Sequence, residues 1–214
     1  MPLARPRVLV ADDHTLVAQL CSNLLSNEFD VVGTVGNGHA LIQAAGELHP
    51  DVVIVDVAMP QLNGLDAGER VKKRHPLIKL VYLTMNSDPE IAAEAFRRGA
   101  SGYLLKTCAT SELLAAVRSV LRGKTYVSSR IMRDAIEFPQ CQQRGLEGEL
   151  RLTDRQREVL QLIAEGRLMK EVGSILNMTP RTVAFHKYRI MEVVGAKSTA
   201  ELVRYAVRNH LVAA

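Results

Sequence analysis

The stretch DVVIVDVAMP, residues 51–60, sets four β-branched aliphatics, Val52 to Val55, directly before Asp56 and ends on Pro60. An apolar run without polar alternation predicts a strand buried on both faces, as in parallel sheets covered by helices on each side. An unpaired carboxylate buried in such a strand costs several kcal/mol. Asp56 is therefore expected at the strand's open carboxyl end, among partners, or both.

Outward from that strand, RVLVA (7–11), VVGTV (31–35), IKLVYLT (78–84) and GYLL (102–105) predict four more strands. Helical patterns separate them: Leu16, Val17, Leu20, Cys21, Leu24 and Leu25 repeat at helical spacing, as do Leu41, Ala44, Ala45 and Leu48. Asp88 and Pro89 supply a cap and a first-turn proline for a helix that Gly99 stops. Thr110 or Ser111 opens a fifth helix, which Gly123 follows. Five β/α units within residues 1–122 predict a doubly wound, five-stranded parallel sheet. Gly68 interrupts the third helix at a cost of about 1 kcal/mol against alanine, and the local pattern gives no reason for it.

With 214 residues, 47% of them hydrophobic and 23% charged, the chain suits one or two compact soluble domains. Its apolar runs are too short to span a membrane, and the acids of MPLARPRVLVADDH fall where a signal peptide needs its apolar core. A cytoplasmic protein with no membrane partner is expected. Cys21, Cys108 and Cys141 show no C-x-x-C spacing and read as reduced packing residues. Residues 123–149 read as a linker: SSRIMRDAIEF leaves room for one short helix, and PQCQQRGLEGE is rich in Pro, Gln and Gly.

Residues 150–214 are helical in pattern. Thr153 with Gln156 forms a capping box, Gly166 stops that helix, a second runs to about Asn177, Thr179 and Pro180 open a third, and Ser198 with Glu201 caps a fourth. Four short helices cannot cover a sheet, so they are expected to form a separate domain, and the turn at Asn177-Met178 suits a helix-turn-helix. Charge divides along the same lines. Residues 1–122 hold 12 Lys and Arg against 13 Asp and Glu, residues 123–149 hold 4 of each, and residues 150–214 hold 11 against 6. A basic C-terminal domain suits a polyanionic partner.

In an open parallel sheet the carboxyl ends of the strands converge on one edge, where ligands bind. Asp12, Asp13, Asp56, Thr84 and Lys106 all fall at such ends. Each alone has an ordinary reading as a cap, a strand residue or a solvated charge, but those readings do not explain why one edge receives all five. Clustered carboxylates call for a cation, and oxygen ligands with room for water favour Mg2+. The cation would offset charge on an incoming phosphoryl group as Asp56 attacks phosphorus, with Lys106 and Thr84 binding phosphoryl oxygens.

At VADDH, IVDVAMPQLNGLD, LTM and GASGYLLKT the chain strongly resembles the receiver domains of two-component response regulators, with their flavodoxin-like fold. The resemblance implies that Asp56 accepts phosphate from a sensor histidine kinase. It also implies that Asp13, Asp56 and the backbone carbonyl of Ala58 hold Mg2+ beside Asp12, and that Thr84 and Tyr103 form the switch. Ala58 and Asn86 would set the lifetime of the phosphate, which apolar Ala58 is expected to lengthen. LTDRQREVLQLIAEG and TPRTVAFHKYRIMEVVGAKSTAELVRYAV are similar to the LuxR-type helix-turn-helix of the NarL/FixJ family. Two positions depart from that pattern: Leu168 replaces the usual Ser or Thr cap of the second helix, and Ala184 replaces a recognition-helix lysine.

On a helical wheel, Val183, Ile190 and Val194 face the core while Arg181, Phe185, Tyr188, Arg189 and Glu192 face away. The expected face for double-stranded DNA comprises Arg181, Thr182, Ala184, Phe185, Lys187, Tyr188 and Arg189. Phe185 and Tyr188 would read thymine methyls, while Arg181, Lys187 and Arg189 would grip phosphates. On the fourth helix Leu202, Val203, Ala206, Val207 and His210 form a stripe that packs the core by default, and the resemblance implies that it pairs subunits in a homodimer on DNA. The resulting reading is a phosphorylation-dependent transcriptional regulator, not an enzyme. An aspartyl-phosphate phosphatase would need a second acid where Ala58 stands. A receiver acting as a phosphate-independent interaction module is the other alternative.

Overall fold

The computed structural model describes residues 5–85, 87–107, 110–132 and 152–212. The chain divides into two compact units, Met1–Met59 with Gly64–Gly145, and Pro60–Asn63 with Leu146–Ala214. Asn86, Cys108, Cys141 and the later part of the expected linker lie outside the described residues.

The first unit contains β1 (Arg7–Ala11), β2 (Asp30–Val35), β3 (Val52–Asp56), β4 (Lys79–Thr84), β5 (Gly102–Leu105) and β6 (Tyr126–Val127). All pair in parallel, in the order β2-β1-β3-β4-β5-β6. The sheet thus has six strands rather than the expected five, and the sixth falls inside the stretch read as linker. Its cause is the outer edge of β5, whose backbone needs partners. The Tyr126 N–H donates to Ser101 O at 3.1 Å and the Ser128 N–H to Tyr103 O at 3.0 Å.

Helices α1 (Thr15–Leu25) and α5 (Thr110–Leu121) pack Ala18, Cys21, Leu25, Leu113, Ala116, Val117 and Val120 against Val8, Val10, Ile54, Val81 and Leu104 on one face of the sheet. Helices α2 (Gly38–Leu48), α3 (Gly64–Arg74) and α4 (Pro89–Arg97) pack on the opposite face. Every residue of β3 is consequently buried, as its uninterrupted apolar run requires. The buried stripe of α1 is narrower than its leucines suggest, since Leu16 and Leu20 point to solvent. Gly68 also finds its reason here: a Cβ at that position would lie 2.0 Å from Tyr82 Oη, so only glycine lets α3 lie this close to β4.

The second unit holds α6 (Asp154–Ala164), α7 (Met169–Leu176), α8 (Pro180–Val194) and α9 (Thr199–Arg208) around Val159, Leu160, Leu162, Val172, Val183, Ile190, Leu202 and Ala206. The Thr153–Gln156 box and the Thr179 and Ser198 caps are all formed. Leu168 gives α7 no side-chain cap, yet the Glu171 carboxylate reaches back to accept the Leu168 N–H at 2.7 Å. A Cβ on Gly173 would stand 2.6 Å from Met178 O, and Asn177 takes the left-handed conformation at φ 52°. Together they make the turn between α7 and α8 tight. No helix among the described residues is long and apolar enough to cross a membrane.

Candidate functional site

The ends of β1, β3, β4 and β5 bring Asp12, Asp56, Thr84 and Lys106 together, as the strand endings predict. Asp12 is 5% exposed and Asp56 3%, and Lys106 Nζ sits 2.8 Å from Oδ2 of each. At that distance the ammonium engages both Oδ2 atoms, and a single donor leaves each carboxylate oxygen a further lone pair. Both oxygens are thus buried acceptors with capacity to spare. The Ala58 N–H donates to Asp56 Oδ1 at 3.2 Å, and Ala58 itself is exposed.

Burial pushes the Asp56 carboxyl above the ordinary carboxylate range. Lys106 opposes that rise and the charge of Asp12 adds to it. Burial works against the Lys106 ammonium too, but Asp12 and Asp56 more than compensate and hold it above the usual lysine value. Thr84 is buried at the end of β4, and Tyr103 is fully buried on β5. Burial raises the Tyr103 phenol, and the neighbouring Thr84 offsets that rise only in part.

Asp13 is more open, with its Oδ1 2.8 Å from His14 Nδ1. One ligand atom each from Asp12, Asp13, His14 and Asp56 lies within 4.8 Å of the others. Three carboxylates, two of them buried, are a donor set that fits a hard divalent cation.

Two features of the site escape single-residue patterns. Gly64, where α3 begins, would put a Cβ 1.9 Å from Asp56 O, so glycine is what allows α3 to start against the end of β3. The signal was a glycine near a helix start, which local rules read as ordinary loop chemistry. Arg98, at the C-cap of α4, holds Asp66 Oδ1 at 2.6 Å and also pairs with Glu94 and Glu69. That network fastens α4 to α3, and it depends on side chains far apart in sequence.

In the second unit Arg181, Phe185, Tyr188, Arg189 and Glu192 are exposed on α8, while Val183 and Ile190 are fully buried and Val194 is half-buried. Thr182 is exposed, its hydroxyl 2.9 Å from that of Thr179, and Ala184 is half-buried. Two cations are already engaged. Lys187 Nζ donates to Thr199 Oγ1 at 2.7 Å, and Arg189 pairs with Glu192 at 2.6 Å. On α9, Leu202 and Ala206 are fully buried in their own core, which is the packing role and removes them from the stripe available to a second subunit. Val203 and Val207 are half-buried, as is His210, which stands beyond the end of α9 with φ 54°, so the expected helical stripe stops short of it.

Residues 8–118 match the response regulator receiver domain family, and residues 150–206 match the bacterial regulatory proteins of the luxR family. The transcriptional regulatory protein MctR of Rhizobium johnstonii is 34% identical over 208 residues, covering 96% of this chain and 95% of that protein. The oxygen regulatory protein NreC of Staphylococcus aureus is 35% identical over 214 residues, covering 96% and 99%. Among solved structures, the RcsB response regulator of Salmonella typhimurium matches with a TM-score of 0.63 at 26% identity, over 95% of this chain and 97% of that one. RcsB of Salmonella enterica serovar Typhimurium bound to promoter P1flhDC in the presence of the phosphomimetic BeF3− matches with a TM-score of 0.59 at 28% identity, over 94% and 97%.

Proposed function

This chain belongs to the response regulators that join a receiver domain to a LuxR-type helix-turn-helix, the NarL/FixJ type of transcriptional regulator, and from that premise we propose that phosphorylation of Asp56 controls its binding to DNA. The phosphodonor in this reading is a sensor histidine kinase. An Asp56 Oδ atom bonds to phosphorus as the bond from phosphorus to the kinase imidazole nitrogen breaks, and the imidazole leaves. Asp12, Asp13, Asp56 and the Ala58 carbonyl hold Mg2+, which when bound neutralises charge on the phosphoryl group. Lys106 exchanges a carboxylate for a phosphoryl oxygen, and Thr84 donates its hydroxyl to another. Tyr103, buried beside Thr84, carries the change to the surface around α4 and β5.

The observation that carries this reading is the buried Lys106 ammonium held at 2.8 Å from both Asp12 and Asp56. A lysine serving only solubility would face water, whereas this one is stationed where a new anion would arrive. The receiver, expected over residues 1–122, is taken to extend through β6, and the DNA-binding domain is taken as 150–214, in a cytoplasmic protein. Binding to double-stranded DNA runs through α8, with Arg181 its least encumbered basic side chain. A homodimer on DNA is supported by the RcsB dimers bound to DNA among the structural matches. With acetyl phosphate and Mg2+, the protein should gain one phosphoryl mass, and EDTA should prevent the gain. Equal labelling of Asp56→Asn would overturn the assignment.

A further inference from the structure

Phosphoryl acceptance on Asp56 gives the ring of His14 no task, yet that ring is turned into the pocket. His14 is the N-cap of α1, where a side chain ordinarily accepts a hydrogen bond from the first turn, but it makes no such bond. Its Nδ1 instead lies 2.8 Å from Asp13 Oδ1 and 3.4 Å from Asp12 Oδ1, while its backbone N–H donates to Asp12 Oδ1 at 2.8 Å. The spread of at most 4.8 Å among ligand atoms of Asp12, Asp13, His14 and Asp56 is one that a single ion can bridge with small side-chain shifts. The Asp12 and Asp56 side chains, buried to 97%, meet Lys106 through Oδ2 and direct Oδ1 toward the backbone that carries His14 and Ala58, the side on which an ion would enter.

We propose that His14 Nδ1 is a ligand of the divalent ion and biases the pocket toward Mn2+ over Mg2+. The proposal rests on the reading that Asp12, Asp13 and Asp56 hold a divalent ion. Mg2+ is hard, favours oxygen and keeps its waters, so an imidazole adds little to its binding. Mn2+ has the same charge, a similar geometry and the same liking for oxygen, but as a transition metal it takes an imidazole nitrogen more readily than Mg2+ does. The ring side chain is 66% exposed, so it is free to pivot as the ion enters.

The test uses the full-length, unphosphorylated chain and Mn2+ alone, followed by electron paramagnetic resonance and spin-echo modulation. The expected result is one Mn2+ site that Mg2+ displaces and Asp56→Asn weakens, with 14N modulation that disappears in His14→Ala. His14→Ala should also lower Mn2+ affinity about tenfold or more, with Mg2+ affinity nearly unchanged. Mn2+ bound without 14N modulation, or a Mn2+ to Mg2+ preference equal in wild type and His14→Ala, overturns the role of His14 and leaves the ion site standing. Failure of the wild type to bind either ion overturns both readings.

Discussion

Asp56 must be buried enough to exclude water from the pocket and charged enough to attack phosphorus, and its neighbours balance those demands. Burial holds its folded carboxyl above the unfolded value, so the folded state favours the proton. This contribution stabilises below the unfolded pKa and is lost as pH rises through the folded one. Asn at this position mimics the protonated form and leaves Asp12 to pair Lys106. At neutral pH, urea unfolding should therefore find Asp56→Asn more stable than wild type by on the order of 1 kcal/mol, a gap that closes as pH falls into the carboxylate range. A wild type equally stable at neutral pH would contradict it. Asp12, Asp56, Thr84 and Lys106 were legible in the sequence because each ends a strand, and parallel strands end on one edge. His14 and Arg98 were not, because what they touch is decided by side-chain direction and by tertiary packing.

Helices and strands carry their own tests. Gly68→Ala should cost about 1–3 kcal/mol, because its Cβ meets Tyr82 Oη. Tyr82→Phe removes that oxygen, which is buried without a hydrogen bond, and should recover a large part of the loss in thermal unfolding of the double variant. For α7, Leu168→Thr supplies the missing cap and should add about 1 kcal/mol, with Glu171 completing a full capping box. On α8, Arg181→Ala should reduce the slope of DNA affinity against salt by about one unit, and Lys187→Ala by less, since Lys187 is engaged by Thr199. Phe185→Ala should relax preference at particular T·A pairs, tested by replacing thymine with uracil; an unchanged affinity at every position contradicts methyl readout. The elements themselves were readable from caps and periodicity. The two-residue β6 was too short to leave a pattern, and periodicity could not tell which of two adjacent stripes on α1 faces the sheet.

Across the whole chain, chemistry and charge divide together: a near-neutral unit carries the acidic pocket and a basic unit carries the exposed aromatic and arginine face of α8. That division was visible in the distribution of Lys and Arg alone, whereas the prior engagement of Lys187 and Arg189 emerged only with folding. One carboxylate, Asp56, links the two functions in the proposed mechanism. DNA fragments captured by this protein from its own genome supply the ligand, and affinity is measured with and without acetyl phosphate and Mg2+ for wild type and Asp56→Asn. Phosphorylation should change wild-type affinity and leave Asp56→Asn where it was. An unresponsive wild type carrying a full phosphoryl load, or an Asp56→Asn variant that responds equally, would contradict it.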